Sequence, residues 1–187
     1  MGRWEPNACG RLEQAALELY GERGFDGTTV AEIAGRAGLT ERTFFRHFAD
    51  KREVLFAGSA MLHDLLTTAV AEAPATAAPL EATAAALEAA GAVFAGRHDH
   101  SRRRQAVIDA NAELRERELI KLATLAGALA AALRRRGVPD PAAALAAEAG
   151  IAVFKVAFER WLGDGGRDLP HHIRESLDEL RAVTAAR

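Results

Sequence analysis

Cysteine occurs once, at Cys9. An internal disulfide is therefore excluded, and the chain suits a reducing compartment. Runs of about 20 consecutive apolar residues are also missing, because charges, prolines or glycines interrupt each apolar stretch, and no secretory leader is seen. These absences point to a soluble, cytoplasmic product. Alternating β-branched patterns are absent while alanine and leucine dominate, which favours an all-α protein over any sheet architecture. No glycine-rich phosphate loop, nucleophile elbow, HExxH or paired-carboxylate pattern occurs, so neither an enzymatic activity nor a cofactor is expected. Positive charge is not in excess either: 24 Lys and Arg face 26 Asp and Glu, a net charge of −2. A general nucleic-acid scavenger would be far more basic. What is present is 187 residues with 49% hydrophobic content, enough to pack one domain or two small ones.

The most informative stretch is TTVAEIAGRAGLTERTFFRHFADKREVL, residues 28–55. Val30, Ile33, Ala34 and Ala37 recur at the helical period and give one apolar face. Thr29 followed three residues later by Glu32 is the capping-box pattern, so a helix starts there. Gly38 ends it, because glycine accepts the left-handed conformation that helix termini favour, and Leu39 then turns into the core. Thr40 caps a second short helix. Phe44 and Phe48, four apart, anchor that helix inward and leave Glu41, Arg42, Thr43, Arg46 and His47 over the rest of its surface. Two short helices joined by a glycine-centred turn have the outline of a helix-turn-helix. Charge supports this locally: from Arg36 to Arg52, five Lys and Arg face only Glu41 and Asp50, although residues 1–57 hold eight Lys and Arg against nine Asp and Glu. With a screening length of about 8 Å, the local excess is what a DNA groove feels.

Residues Thr29, Ile33, Ala34, Ala37, Gly38, Leu39, Thr40, Thr43, Phe44, Phe45, His47, Phe48, Lys51 and Leu55 stand in register with a known pattern. On them the chain resembles the TetR family of bacterial transcription regulators. Upstream, AALELYGERGF resembles the family's first helix, so about the first third of the chain is covered. Two positions depart from the family: Arg42 stands where relatives often have Gly or Ala, and Phe45 replaces the usual Tyr. The first adds a possible reader of bases or phosphate. The second removes a hydroxyl that reaches phosphate in relatives.

Breakers divide the remainder into helical stretches. Leu12, Ala15, Ala16, Leu19 and Tyr20 form an amphipathic helix over 11–23. Asp50 is placed to cap a helix from Lys51 to about Glu72, and APATAAP then breaks the chain at Pro74 and Pro79. Helices are expected from Leu80 to about Gly96 and from Ser101 to about Ala110, with Asn111 as a restart cap. Leu119, Leu122, Ala126, Leu129 and Leu133 form a buried stripe over 113–136, ended by Gly137. Ile151, Phe154, Phe158, Trp161 and Leu162 make one face of a helix over 142–162 heavily aromatic. A final stripe contains Leu169, Ile173, Leu177, Leu180 and Val183. The expected organisation is a helix-turn-helix DNA-binding domain over 1–50 and a larger helical regulatory and dimerisation domain over 51–187.

The resemblance implies a homodimer on a near-palindromic DNA operator, with the second helix of each motif in the major groove and the two readers ~34–36 Å apart. Arg42 and Arg46 are candidates for bidentate contacts to guanine. Glu41 accepts from cytosine N4, or else pairs with Arg42 or serves the helix start. Thr43 meets a thymine methyl or a phosphate, and Thr29, His47 and Lys51 are read as phosphate contacts. Thr40 and Phe45 complete the expected DNA face. Arg3 and Trp4 belong to an arm that can reach a groove. The arginine runs at 102–104 and 134–136 read as solvated faces rather than a second DNA site.

By resemblance, the middle helices hold a cavity for a small ligand, and the last two helices form the dimer. Met61, Leu65, Phe94, Phe154, Phe158 and Trp161 are the pocket candidates, with core packing as the competing use for most of them; a pocket there suits an apolar ligand with a polar handle from His63, His98, His100 or Asn111. Phe154, Phe158, Ile173, Leu177 and Leu180 are the dimer candidates. No metal is expected at HDH, residues 98–100, where i and i+2 side chains point apart. The expected function is a repressor released by a small apolar ligand. The alternative is a helical adaptor or carrier without sequence-specific DNA binding.

Overall fold

The computed structural model describes residues 7–185, so Arg3 and Trp4 lie outside the described residues. Among the described residues all regular structure is helical: α1 (Ala8–Arg23), α2 (Val30–Arg36), α3 (Glu41–His47), a 3₁₀ turn (Glu53–Phe56), α4 (Ser59–Glu72), α5 (Pro79–Ala92), α6 (His98–Asp109), α7 (Ala112–Arg135), α8 (Asp140–Gly163) and α9 (Leu169–Thr184). These helices group into two compact units.

The first unit takes the chain through Ser59 and adds His100–Glu118, which the sequence reading assigned to the second domain. The reason lies in packing. Ile108 and Leu114 are fully buried in one apolar cluster with Leu12, Leu19, Ile33, Phe44 and Val54. Polar contacts reinforce it: Arg104 donates from Nε to the Leu55 carbonyl (2.6 Å), pairs with Glu118 (3.2 Å) and lies over the Phe56 ring. Arg117 pairs with Glu53, and Arg52 with Glu113.

The second unit holds Ala60–Asp99 and the chain from Leu119 onward. Its core is built from Val70, Leu87, Leu129, Leu133, Ala147, Leu169 and Ile173. Small residues let the helices approach closely. A Cβ added at Gly150 on α8 would overlap Thr83 on α5, and one at Gly91 would stand 2.9 Å from Ile173 Cδ1 on α9. At the end of α7, Arg136 donates to the carbonyls of Val70 (2.9 Å) and Pro74 (2.6 Å), which joins the ends of α7 and α4.

Several expectations are corrected. The helix expected from Lys51 to Glu72 is a 3₁₀ turn followed by α4. Asp50 Oδ1 accepts from the amides of Arg52 (2.8 Å) and Glu53 (3.2 Å), so it caps the tight turn. Asn111 does not act as expected at the start of α7: its amide donates back to the Val107 carbonyl (2.6 Å). The helix after Pro79 ends at Ala92, and α6 begins at His98, ahead of Ser101. Ile173 and Leu177 are buried in their own protomer, 0% and 5% exposed, because α9 packs that stripe against α5 and α8. They are therefore unavailable to a second copy. Finally, α8 and the stretch 53–72 do reach the length and mean hydropathy of a membrane span. In α8 part of that apolar surface, including Ala143, Ala147, Ile151 and Ala157, forms the core of the second unit.

Candidate nucleic-acid interface

The helix-turn-helix is built by three local devices. Thr29 and Glu32 make the complete capping box: Glu32 Oε2 accepts from the Thr29 amide (2.9 Å), and Thr29 Oγ1 accepts from the Glu32 amide (3.3 Å). The Thr29 hydrogen bonds, chiefly the backbone one, hold the Glu32 carboxyl below its ordinary range. Gly38 then adopts φ +65°, and the Leu39 amide returns to the Ala34 carbonyl (2.8 Å), which ends α2. Arg11 adds a long-range cap by donating to the Ala37 carbonyl. Thr40 Oγ1 accepts from the Thr43 amide (3.2 Å) and starts α3.

α3 has two unlike faces. Phe44 is fully buried and Phe48 nearly so, their ring centroids 5.5 Å apart. Glu41, Arg42, Phe45, Arg46 and His47 are exposed. Among the described residues, neither Arg42 nor Arg46 has a hydrogen-bond or ion-pair partner, so both guanidiniums keep their donors for a ligand. Phe45 is 55% exposed, with its ring edge-on to Phe44 at a centroid distance of 5.4 Å. An exposed phenyl on a cationic rim suits apolar contact with a thymine methyl. The structure thus gathers Thr40, Glu41, Arg42, Thr43, Phe45, Arg46 and His47 on one short helix and its cap, with Thr29 at the start of α2.

Lys51 is a correction. Its ammonium donates to the carbonyls of Phe25 (2.8 Å) and Thr28 (2.9 Å), lies 3.5 Å from that of Asp26, and stands 4.4 Å from the Phe25 ring centroid. Tyr20 adds a bond from its phenol to the Lys51 carbonyl (2.6 Å), and burial pushes that phenol well above its ordinary range. Lys51 is therefore a clasp on the α1–α2 loop. Its protons are directed at carbonyls instead of a phosphate. Arg36, read from sequence as a solvated charge, makes a two-pronged bond to Glu22 on α1 (3.0 and 2.9 Å). Sequence reasoning missed Arg11, Lys51 and Arg104 as ties because the carbonyls they bind lie 23 or more residues away.

In the second unit, four of the pocket candidates meet. The Phe94 ring lies 6.5 Å from Phe154, 5.6 Å from Phe158 and 5.9 Å from Trp161. His98 stands edge-on to Trp161 at 5.0 Å and donates from Nε2 to its carbonyl (2.9 Å). Leu65 packs on the same core, whereas Met61 is 48% exposed. No group of three His, Cys, Asp or Glu able to hold a metal occurs among the described residues.

Comparison with known proteins agrees with this architecture. Residues 13–57 match the model of the bacterial regulatory proteins, tetR family, and residues 77–185 match the MftR C-terminal domain. The transcriptional regulator TcmR of Streptomyces glaucescens is 38% identical over 71 residues, which is 38% of this chain and 31% of TcmR. The match thus spans under a third of that relative's length. Among solved structures, FadR of Bacillus subtilis in complex with stearoyl-CoA has a TM-score of 0.63 at 20% identity, covering 95% of this chain and 99% of FadR. The SmeT–triclosan complex has a TM-score of 0.64 at 21% identity, covering 94% of this chain and 90% of SmeT. At these identities the structures speak for the fold. Both halves of the chain match family models, and α3 presents a cationic rim above buried aromatic anchors: the chain belongs to the TetR family of DNA-binding helix-turn-helix transcription regulators.

Proposed function

We propose that the chain is a homodimeric repressor that lays α3 of each copy in the major groove of a near-palindromic operator and leaves it when a small apolar ligand binds the second unit. The observation that carries the DNA reading is the two-faced α3, whose exposed Arg42 and Arg46 have no hydrogen-bond or ion-pair partner among the described residues and stand beside the exposed Phe45. Arg42 and Arg46 read guanines, Phe45 meets a thymine methyl, and Thr29, Thr40, Thr43 and His47 hold the phosphates. Glu41 either reads cytosine or serves the start of α3. Working on operator DNA, the protein acts in the cytoplasm.

The dimer reading moves to the face of α8 that its own unit leaves uncovered. Leu145 is 71% exposed and Val156 47%, with Ala152 exposed between them. Spacings of seven and four place all three on one helix face. Half-buried Phe154, Phe158 and Leu180 flank the core from the same pair of helices. For the ligand, the support is the Phe94, Phe154, Phe158 and Trp161 cluster, together with solved relatives of this fold that hold stearoyl-CoA or triclosan. The test is selection of bound DNA from a random pool, followed by mobility shift and a screen for compounds that release the duplex. Recovery of a palindrome supports the reading. Failure to shift any duplex at low salt points instead to a helical adaptor.

A further inference from the structure

The outward face of α3 joins a carboxylate, a phenyl and a guanidinium in one edge. At about 100° per residue, Phe45 lies between Glu41 and Arg42 when viewed down the helix axis, one turn further along, and the buried Phe44 lies on the far side. Positions three and four apart on a helix have Cβ atoms about 5–6 Å from each other, so Phe45 neighbours both charges. All three side chains are exposed, and neither Glu41 nor Arg42 has a hydrogen-bond or ion-pair partner among the described residues. The side-chain cap of α3 comes from Thr40, whose Oγ1 accepts from the Thr43 amide (3.2 Å), which leaves the Glu41 carboxylate its acceptors. Phe45 is braced edge-on by the buried Phe44 ring, at an interplanar angle of 82°.

Each member of this edge asks something different of a base. A carboxylate near phosphates is repelled, and what compensates it in the major groove is the N4 amine of cytosine. Thymine presents the O4 acceptor at the same point, which a carboxylate rejects. The phenyl has no donor or acceptor and takes a C5-methyl, which unmodified cytosine lacks. Cytosine thus suits Glu41 alone and thymine suits Phe45 alone. 5-Methylcytosine carries the amine and the methyl on adjacent ring carbons and suits both. The third member sets the neighbour: Arg42 to Phe45 spans about 4.5 Å along the helix, and base pairs rise ~3.4 Å, so the guanidinium falls on the same or the next pair and takes guanine O6 and N7. We propose that α3 reads 5-methylcytosine beside a guanine, with Glu41 on the amine, Phe45 on the methyl and Arg42 on the guanine, so that cytosine methylation strengthens operator binding. The inference rests on the operator reading and deepens it by naming the modified base.

The test begins with selection by the full chain from two random duplex pools, one made with cytosine and one with 5-methylcytosine. Each pyrimidine of the selected half-site is then replaced in turn by cytosine, 5-methylcytosine and thymine, each with its pairing purine, and affinities are read by fluorescence anisotropy. At one position beside a guanine, 5-methylcytosine is expected to bind roughly fourfold tighter than cytosine per half-site, the gain from one buried methyl, and about tenfold or more tighter than thymine, which forfeits the bond to Glu41. Phe45→Ala should bring the ratio of 5-methylcytosine to cytosine to about one, and Glu41→Gln should shrink the preference over thymine, both at the melting temperature of the parent because both side chains are exposed. A selected half-site at which 5-methylcytosine nowhere exceeds cytosine and thymine overturns this inference alone, as does a Phe45→Ala chain that keeps the methyl preference. Failure to select any duplex from either pool overturns the operator reading with it.

Discussion

Arg46→Ala separates reading DNA from holding the fold. The Arg46 side chain is exposed, with no partner among the described residues, so its loss should change stability by no more than about 0.5 kcal/mol. If it makes a bidentate guanine contact, its removal costs ~1–3 kcal/mol per half-site, a loss of roughly 5–150-fold that a symmetric dimer incurs twice. Random duplex should lose far less, because only one charge leaves the docking surface. The control is Lys51→Met. That change removes the donor to the Phe25 and Thr28 carbonyls and the charge over the Phe25 ring, a destabilisation of ~1–3 kcal/mol. It should lower the melting temperature and leave the ratio of operator to random affinity intact. Fluorescence anisotropy on the selected operator and a scrambled duplex, at one salt concentration, reads both ratios. The reasoning is refuted if the two variants lose specificity equally, or if Arg46→Ala melts earlier while Lys51→Met does not.

Phe44→Ala removes a fully buried ring between α3 and its neighbours and should cost ~3–5 kcal/mol in urea unfolding of the first unit. Gly150→Ala introduces a methyl where Thr83 already sits, so a loss of ~1–3 kcal/mol is expected unless α5 shifts, and calorimetric melting will show it. Val156→Glu places a charge on the uncovered face of α8, and sedimentation should show monomer at concentrations where the parent is a dimer; an unchanged dimer would move the interface elsewhere. Acid should loosen the first unit. Asp50 is held below its ordinary range chiefly by its bond from Arg52, and Glu32 by those from Thr29. With depressed folded values, both contribute above the ordinary carboxylate range of about 4 and lose that contribution as pH falls through their lower folded values. Asp50→Asn should flatten that part of the pH–stability curve.

Much of the first unit was legible because its devices are local. The Thr29–Glu32 box, the left-handed Gly38, the Thr40 cap and the Phe44–Phe48 pair each connect residues three to five apart, and all four are in place. The α9 stripe was equally visible as a periodicity, but its Ile173 and Leu177 are taken up within the protomer. Periodicity reports which side of a helix is apolar, and cannot tell a protomer's own core from a partner's surface. Ile173 and Leu177 face α9's own neighbours, while Val183 at the end of the same stripe and Leu145 and Val156 on α8 stay uncovered.

Sequence alone determined the helical class, the turn, the caps and the two faces of α3, since these depend on hydrogen bonds and side-chain spacing within about one or two helical turns. Tertiary structure decided what depends on neighbours distant in the chain. It placed residues 100–118 with the first unit, turned Lys51 from solvent to the carbonyls of Phe25 and Thr28, and enclosed His172 beside Asp164 and Glu175. The physical reason is that a charged side chain has several partners within reach of its stem, and only the packed chain brings one of them to hydrogen-bonding distance.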